Sequence, residues 1–222
     1  MTIEEFNILS KDLQSIVKSI PLKWGQTQND SADSQINMFA IKTYSELEAP
    51  ISILSEEKKI YFKRRWFLWQ CSKCDEFLFC LNQNVKPNPN KRDQAFDIEF
   101  NNDVELRFDL KGTLIPKQFR NNVEEVIANP QAMVEFFYQH QSKGVRESYQ
   151  NRLFIVHHSF RQQEREMYLR CHFDFKREVI KQYSQQIKIT SNFYRFNSSK
   201  ADVIFIIENL DKSFTSKFFS AC

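Results

Sequence analysis

The chain has 222 residues, 27% of them charged and 41% hydrophobic, with a formal net charge of +3. This balance argues for a soluble globular protein with a sizeable core, and no stretch approaches the ~18 apolar residues of a membrane span. A charge this mildly basic does not by itself imply nucleic acid. Five cysteines at irregular spacing fit reduced thiols. Met1–Phe6 carries acids and no long apolar run, so no secretory leader is read there and a cytoplasmic location is expected.

The spacing of Phe6, Ile8, Leu9, Leu13, Ile16 and Val17 predicts a helix over 2–20, ended by Pro21. Residues 24–37, rich in Gln, Asn, Asp and Ser, read as a loop. A short helix over 44–54 is interrupted at Pro50. Residues 55–82 read as one long helix with an aromatic stripe of Phe62, Trp66, Trp69, Phe77 and Leu81. Pro87-Asn88-Pro89-Asn90 marks 83–94 as a loop.

Phe96–Phe100 and Val104–Lys111 then read as adjacent strands joined by Asn101-Asn102-Asp103, good turn material. Side chains alternate along a strand. Ala95, Asp97 and Glu99 therefore share one face, opposite Phe96, Ile98 and Phe100. Glu105, Arg107, Asp109 and Lys111 likewise oppose Val104, Leu106, Phe108 and Leu110. If residues 100 and 104 pair, Asp97 faces Arg107 and Asp109 is its diagonal neighbour, roughly 7–8 Å away. Gly112, one of only three glycines, follows directly, which suggests a sharp turn or a close approach of a ligand.

After Pro116, helices are expected over 117–128 and 130–142. Leu153–Val156 reads as a buried strand, 161–170 and 175–188 as helices, and Val203–Ile207 as a second fully apolar strand of a sheet covered on both faces. The strand ending at Lys111, its helices and the strand at 153–156 form a plausible parallel crossover. That would place Asp109 and Lys111 at the carboxyl end of a sheet strand, where α/β sheets gather ligands.

Two carboxylates and a lysine at one place can hold a divalent ion and activate a water. Mg²⁺ prefers oxygen ligands and keeps several waters, so two or three carboxylates suffice. Of the acid-x-Lys strings in the chain, only Asp109-Leu110-Lys111 has an amphipathic partner strand upstream and a glycine after it. The plainer alternative is a hairpin with one solvated, charged face.

Other constellations are weaker. Cys71-Ser72-Lys73-Cys74 would need Cys80 or Cys171-His172 to complete a zinc site, and it sits inside a helical pattern without a knuckle glycine. His157-His158 ends a strand with its rings on opposite faces, which suits a surface or capping role. Neither a nucleophile elbow nor a Gly-rich phosphate loop occurs, so no nucleotide cofactor is expected. Most of the aromatic residues should be core. Basic residues cluster at Lys63-Arg64-Arg65, at Lys117 with Arg120, and at Lys143, Arg146 and Arg152. Lys117 and Arg120, starting the helix after the acid-x-Lys string, are candidate phosphate contacts.

Phe96-Asp97 followed by Asp109-Leu110-Lys111 resembles the motif of the PD-(D/E)xK nuclease superfamily, with phenylalanine where proline often stands. The resemblance covers roughly residues 55–160. It implies an α/β fold with a restriction-endonuclease-like αβββαβ core, a mixed sheet flanked by helices and an N-terminal helical addition. One nuclease-like domain would then span 1–222, with the addition over 1–54 and the core over 55–210. By the same resemblance Asp97 and Asp109 would bind Mg²⁺, for which Mn²⁺ could substitute. Glu76 of the long helix would be a further ligand, and Lys111 would orient or deprotonate the attacking water. The implied activity is a Mg²⁺-dependent DNA endonuclease on double-stranded DNA, as in a homodimeric type II restriction endonuclease or a repair or junction nuclease. A non-catalytic nucleic-acid- or protein-binding protein on the same fold is the rival.

Overall fold

A computed structural model describes residues 1–22, 34–90, 95–140 and 150–220. Residues 24–33 of the expected first loop, and Lys143 and Arg146, lie outside the described residues.

The N-terminal helix α1 (Ile3–Ile16) starts where Thr2 and Glu5 satisfy each other's backbone N–H groups, and it buries Phe6, Leu9 and Leu13. A second reciprocal cap, Thr43 with Glu46, starts α2 (Tyr44–Ile51). The long helix α3 (Glu56–Cys80) forms as expected, but its buried face is broader than the expected stripe. Tyr61, Phe62, Trp66, Phe67, Cys74, Leu78 and Phe79 are buried, whereas Trp69 and Leu81 are exposed. Trp66 and Gln70 both donate to the Ile41 carbonyl, which fixes the rotation of the helix.

Three strands follow: β1 (Val85–Pro87), β2 (Ile98–Phe100) and β3 (Arg107–Leu114). They form an antiparallel meander. A 3₁₀ helix (Lys117–Asn122) and the helices α4 (Val123–Ala128) and α5 (Gln131–His140) lead into β4 (Arg152–Ser159), which runs parallel to β3 as expected. Helices α6 (Arg165–Arg170) and α7 (Phe173–Gln186) precede β5 (Tyr194–Phe196), β6 (Ser199–Glu208) and β7 (Phe214–Phe218). The described strands make one mixed sheet in the order β1-β2-β3-β4-β6-β5, with β7 also on β6.

Helices cover both faces, giving an α/β architecture. On one face Ile98, Phe100, Phe108, Leu110, Leu153, Ile204 and Ile206 pack against α1, α3 and α7. On the other, Phe154, Val156, Val203 and Phe205 pack under α4 and α5. The central strands β4 and β6 are apolar on both sides because both sides are covered.

Three expectations change. Val104–Leu106 form a 3₁₀ turn instead of the start of β3, and Val104 is exposed. Asn101 and Asn102 supply the left-handed backbone of that connection, at φ 57° and 55°. Lys111 does not end its strand, which runs on to Leu114. Asp109 pairs with Arg152, the first residue of β4, so it lies toward the amino end of the parallel pair. Gly112 marks no turn. It lies within β3, and a Cβ there would come within 3.1 Å of the Arg170 guanidinium.

Candidate functional site

The shortened hairpin sets the site. Ile98 pairs with Phe108 and Glu99 with Arg107. The expected Asp97–Arg107 pairing is therefore replaced. Glu99 takes Arg107 at 2.6 Å, and the guanidinium covers the Phe96 ring at 4.6 Å. Asp97, just before β2, leaves that register, and its carboxylate lies beside Asp109, close enough for the Asp109 charge to act on it. The Asp97 N–H donates to the Phe108 carbonyl at 2.9 Å, one residue out of step with the Ile98–Phe108 pair, so Asp97 and Ile98 both sit against Phe108, as at a β-bulge.

Both carboxylates are held. Asp97 Oδ2 accepts from the Leu110 N–H at 2.7 Å. Asp109 Oδ1 accepts from Lys111 Nζ at 2.7 Å, and Asp109 Oδ2 lies 3.6 Å from Arg152 Nε. The Asp109 side chain is 5% exposed and that of Lys111 34%, so the ammonium reaches solvent while the carboxylate does not. Burial raises the Asp97 carboxyl to about 6, with the Asp109 charge contributing next and Glu76 adding to it more weakly.

Asn151 ties the strand ends together. Its carbonyl accepts from the Asp109 N–H, its amide donates to the Arg107 carbonyl, and its side-chain oxygen accepts from the Lys200 N–H. Arg152 is buried, with its guanidinium 4.9 Å from the centre of the Tyr138 ring. Sequence spacing groups Arg152 with Lys143 and Arg146 as a basic cluster. The signal that could have placed it was its position as the first residue of an apolar parallel strand.

The structure thus brings Asp97, Asp109 and Lys111 together, with Arg152 as a fourth member. Glu76, half-buried on α3, is near enough for its charge to be felt at Asp97. Among the described residues, no three His, Cys, Asp or Glu side chains group as a metal site. Lys117 and Arg120 are not adjacent to Asp109. They follow the far end of β3, five strand residues and about 16 Å away. Lys117 is exposed, whereas Arg120 turns inward to Glu166, with contacts of 2.9 and 2.7 Å, and to the Ile115 carbonyl.

The remaining sequence features have structural partners. His157 and His158 are buried instead of superficial. His157 Nδ1 lies 3.2 Å from the Thr113 carbonyl, and burial holds the ring well below its usual titration range. His158 Nδ1 lies 3.1 Å from Glu166. Cys71 and Cys74 are buried on α3, and burial keeps both thiols protonated, Cys74 at about 12. Arg64 donates to the Pro21 and Leu22 carbonyls, and Lys63 pairs with Glu48 at 2.9 Å.

No helix among the described residues is long and apolar enough to cross a membrane. Comparison with family models, curated proteins and solved structures gives no match to this chain.

Proposed function

We propose that the chain is a metal-dependent DNA endonuclease of the restriction-endonuclease-like fold, hydrolysing phosphodiester bonds at the Asp97–Asp109–Lys111 site. The observation that carries this reading is the meeting of Asp97 and Asp109 beside the β2–β3 pair, with Asp97 Oδ2 on the Leu110 N–H at 2.7 Å and Lys111 Nζ 2.7 Å from Asp109. Element order supports it: a long helix, an antiparallel three-stranded meander, helices, then a strand parallel to the third. Asp97 immediately precedes the second strand of that meander, and Asp109 and Lys111 lie on the third.

The residues fit a hard divalent cation. Both donors are carboxylate oxygens, and the charge repulsion that raises Asp97 is what a cation between them would relieve. Asp97 and Asp109 would hold Mg²⁺, or Mn²⁺ in its place, with Glu76 as a more remote carboxylate. When bound, such an ion neutralises phosphate charge and makes its water more acidic. Lys111, partly exposed beside Asp109, would orient the attacking water or help deprotonate it. Arg152 fixes the Asp109 rotamer from the buried side, and the Leu110 N–H fixes that of Asp97. Double-stranded DNA is the expected substrate, with two copies of the chain acting on the two strands of a symmetric site.

The rival reading, a non-catalytic nucleic-acid- or protein-binding protein, is favoured by one observation. Lys111 and Arg152 already neutralise much of the Asp109 charge. Calorimetric titration with Mn²⁺ separates the two. The nuclease reading expects saturable binding that Asp97→Ala removes without unfolding the chain. Wild type that takes up no Mn²⁺ above pH 7 would overturn it.

A further inference from the structure

A row of facing residues runs from Asp109 across the sheet. Asp109 pairs with Arg152, Arg152 with Ala201 of β6, and Ala201 with Tyr194 of β5. Tyr194 therefore lies on the same face as Asp109, three interstrand spacings away, or about 14 Å.

At that point a cleft of about 330 Å³ opens between β5 and α5. Its lining is Gln131, Val134 and Glu135 of α5 together with the run 193–196. Phe193, Tyr194 and Phe196 are half-buried, and Arg195 is exposed beside them. Phe196 is held flat by stacking on Tyr138, with centroids 4.8 Å apart and planes within 8°. Tyr138 in turn carries the Arg152 guanidinium, so the aromatic wall is tied to the residue that braces Asp109. Gln131 and Glu135, one helical turn apart, share a hydrogen bond of 3.1 Å and give the cleft a polar side.

Resting on the nuclease reading above, we propose that this cleft receives one unpaired nucleobase a few nucleotides from the bond that is cut. The preferred substrate is then duplex DNA carrying a single-stranded segment beside the site. Each part of the cleft has a role in that. Every base has a flat π face that stacks on aromatic side chains. Carboxylates and carboxamides read the edges of bases, with Glu135 accepting from an exocyclic amine. Arg195 at the lip offers a phosphate contact. A base inside a continuous duplex is stacked and paired, and cannot enter without being unstacked at a cost.

The test uses 2-aminopurine placed at successive positions of a duplex with a single-stranded overhang, in Ca²⁺ so that binding is read without cleavage. Wild type should quench the probe at one or two overhang positions. Tyr194→Leu, which keeps apolar packing but removes the π face, should abolish that quenching. It should also weaken overhang binding by roughly ten-fold while leaving blunt-duplex binding unchanged. Glu135→Gln, at a half-buried position of α5, gives a second variant that should change the preference among overhang bases. Absence of quenching at every position, or equal loss of overhang and blunt-duplex binding in Tyr194→Leu, would overturn the inference. Cleavage is scored separately in Mg²⁺ and Mn²⁺. Quenching without cutting retires the nuclease reading alone, and cutting without quenching retires the cleft alone.

Discussion

Asp97 sits beside Asp109 at the end of the β2–β3 ladder, its Oδ2 on the Leu110 N–H at 2.7 Å, while Glu99 and Arg107 form an ion pair within the ladder. The ion pair lies in register, and the repelling pair forms where Asp97 steps out of it.

That repulsion has a pH signature. Burial first and Asp109 second hold the Asp97 carboxyl at about 6. A carboxylate must be ionised to bind a cation, so Mn²⁺ affinity should level off above pH 6 and fall about tenfold per unit below it. Asp109→Asn removes the neighbouring charge and should lower the Asp97 midpoint, leaving the part due to burial. NMR titration of the carboxyl carbon checks this, and an unchanged midpoint would contradict the assigned coupling.

Asp202, buried in β6, accepts from Tyr183 Oη at 2.7 Å, from the Val203 N–H at 2.8 Å and from Ser220. Burial outweighs these bonds and raises its carboxyl to about 7. A raised acid pKa favours the protonated native state. Its stabilisation is full below the unfolded value of about 3.9 and is lost as pH climbs through about 7, a span on the order of 3–4 kcal/mol. Asp202→Asn should therefore raise the melting temperature at pH 8 by several degrees and change it little at pH 4.

Lys176 and Asp75 form an ion pair that is almost wholly inaccessible, and Lys176 Nζ also donates to the Arg170 carbonyl at 2.9 Å. Removing one partner strands the other charge. Lys176→Met should cost about 3–5 kcal/mol at neutral pH in chemical denaturation. The loss should shrink toward acid pH, because burial already raises the Asp75 carboxyl and protonation relieves it. Asp75→Leu combined with Lys176→Met should recover most of the stability.

Much of this was legible in the sequence, and the rest was not for identifiable reasons. The long helix, the parallel crossover and the apolar strands β4 and β6 follow from hydrophobic periodicity. β1 was hidden because Val85–Pro87 is three residues long and ends at a proline, which only an edge position tolerates. β5 and β7 were missed because edge strands are only half-covered and need little apolar sequence. The carboxylates and Lys111 were found by alternation, but their register was not. It depends on Asn101 and Asn102 taking left-handed conformations and on Val104–Leu106 leaving the ladder, which no alternation pattern encodes. Arg152 was invisible as a site residue because its neighbour is set by strand pairing, not by spacing along the chain.

The most direct test of the proposed activity is cleavage of closed and gapped plasmid by wild type, Asp109→Asn and Lys111→Ala, each in Mg²⁺, Mn²⁺ and EDTA. The predicted result is metal-dependent cutting by wild type, none in EDTA, and a loss of at least about 10²-fold in both variants with the fold intact. Cutting that persists in EDTA or in Asp109→Asn, or wild type that cuts neither plasmid in either metal, would contradict a phosphodiesterase site at Asp97, Asp109 and Lys111.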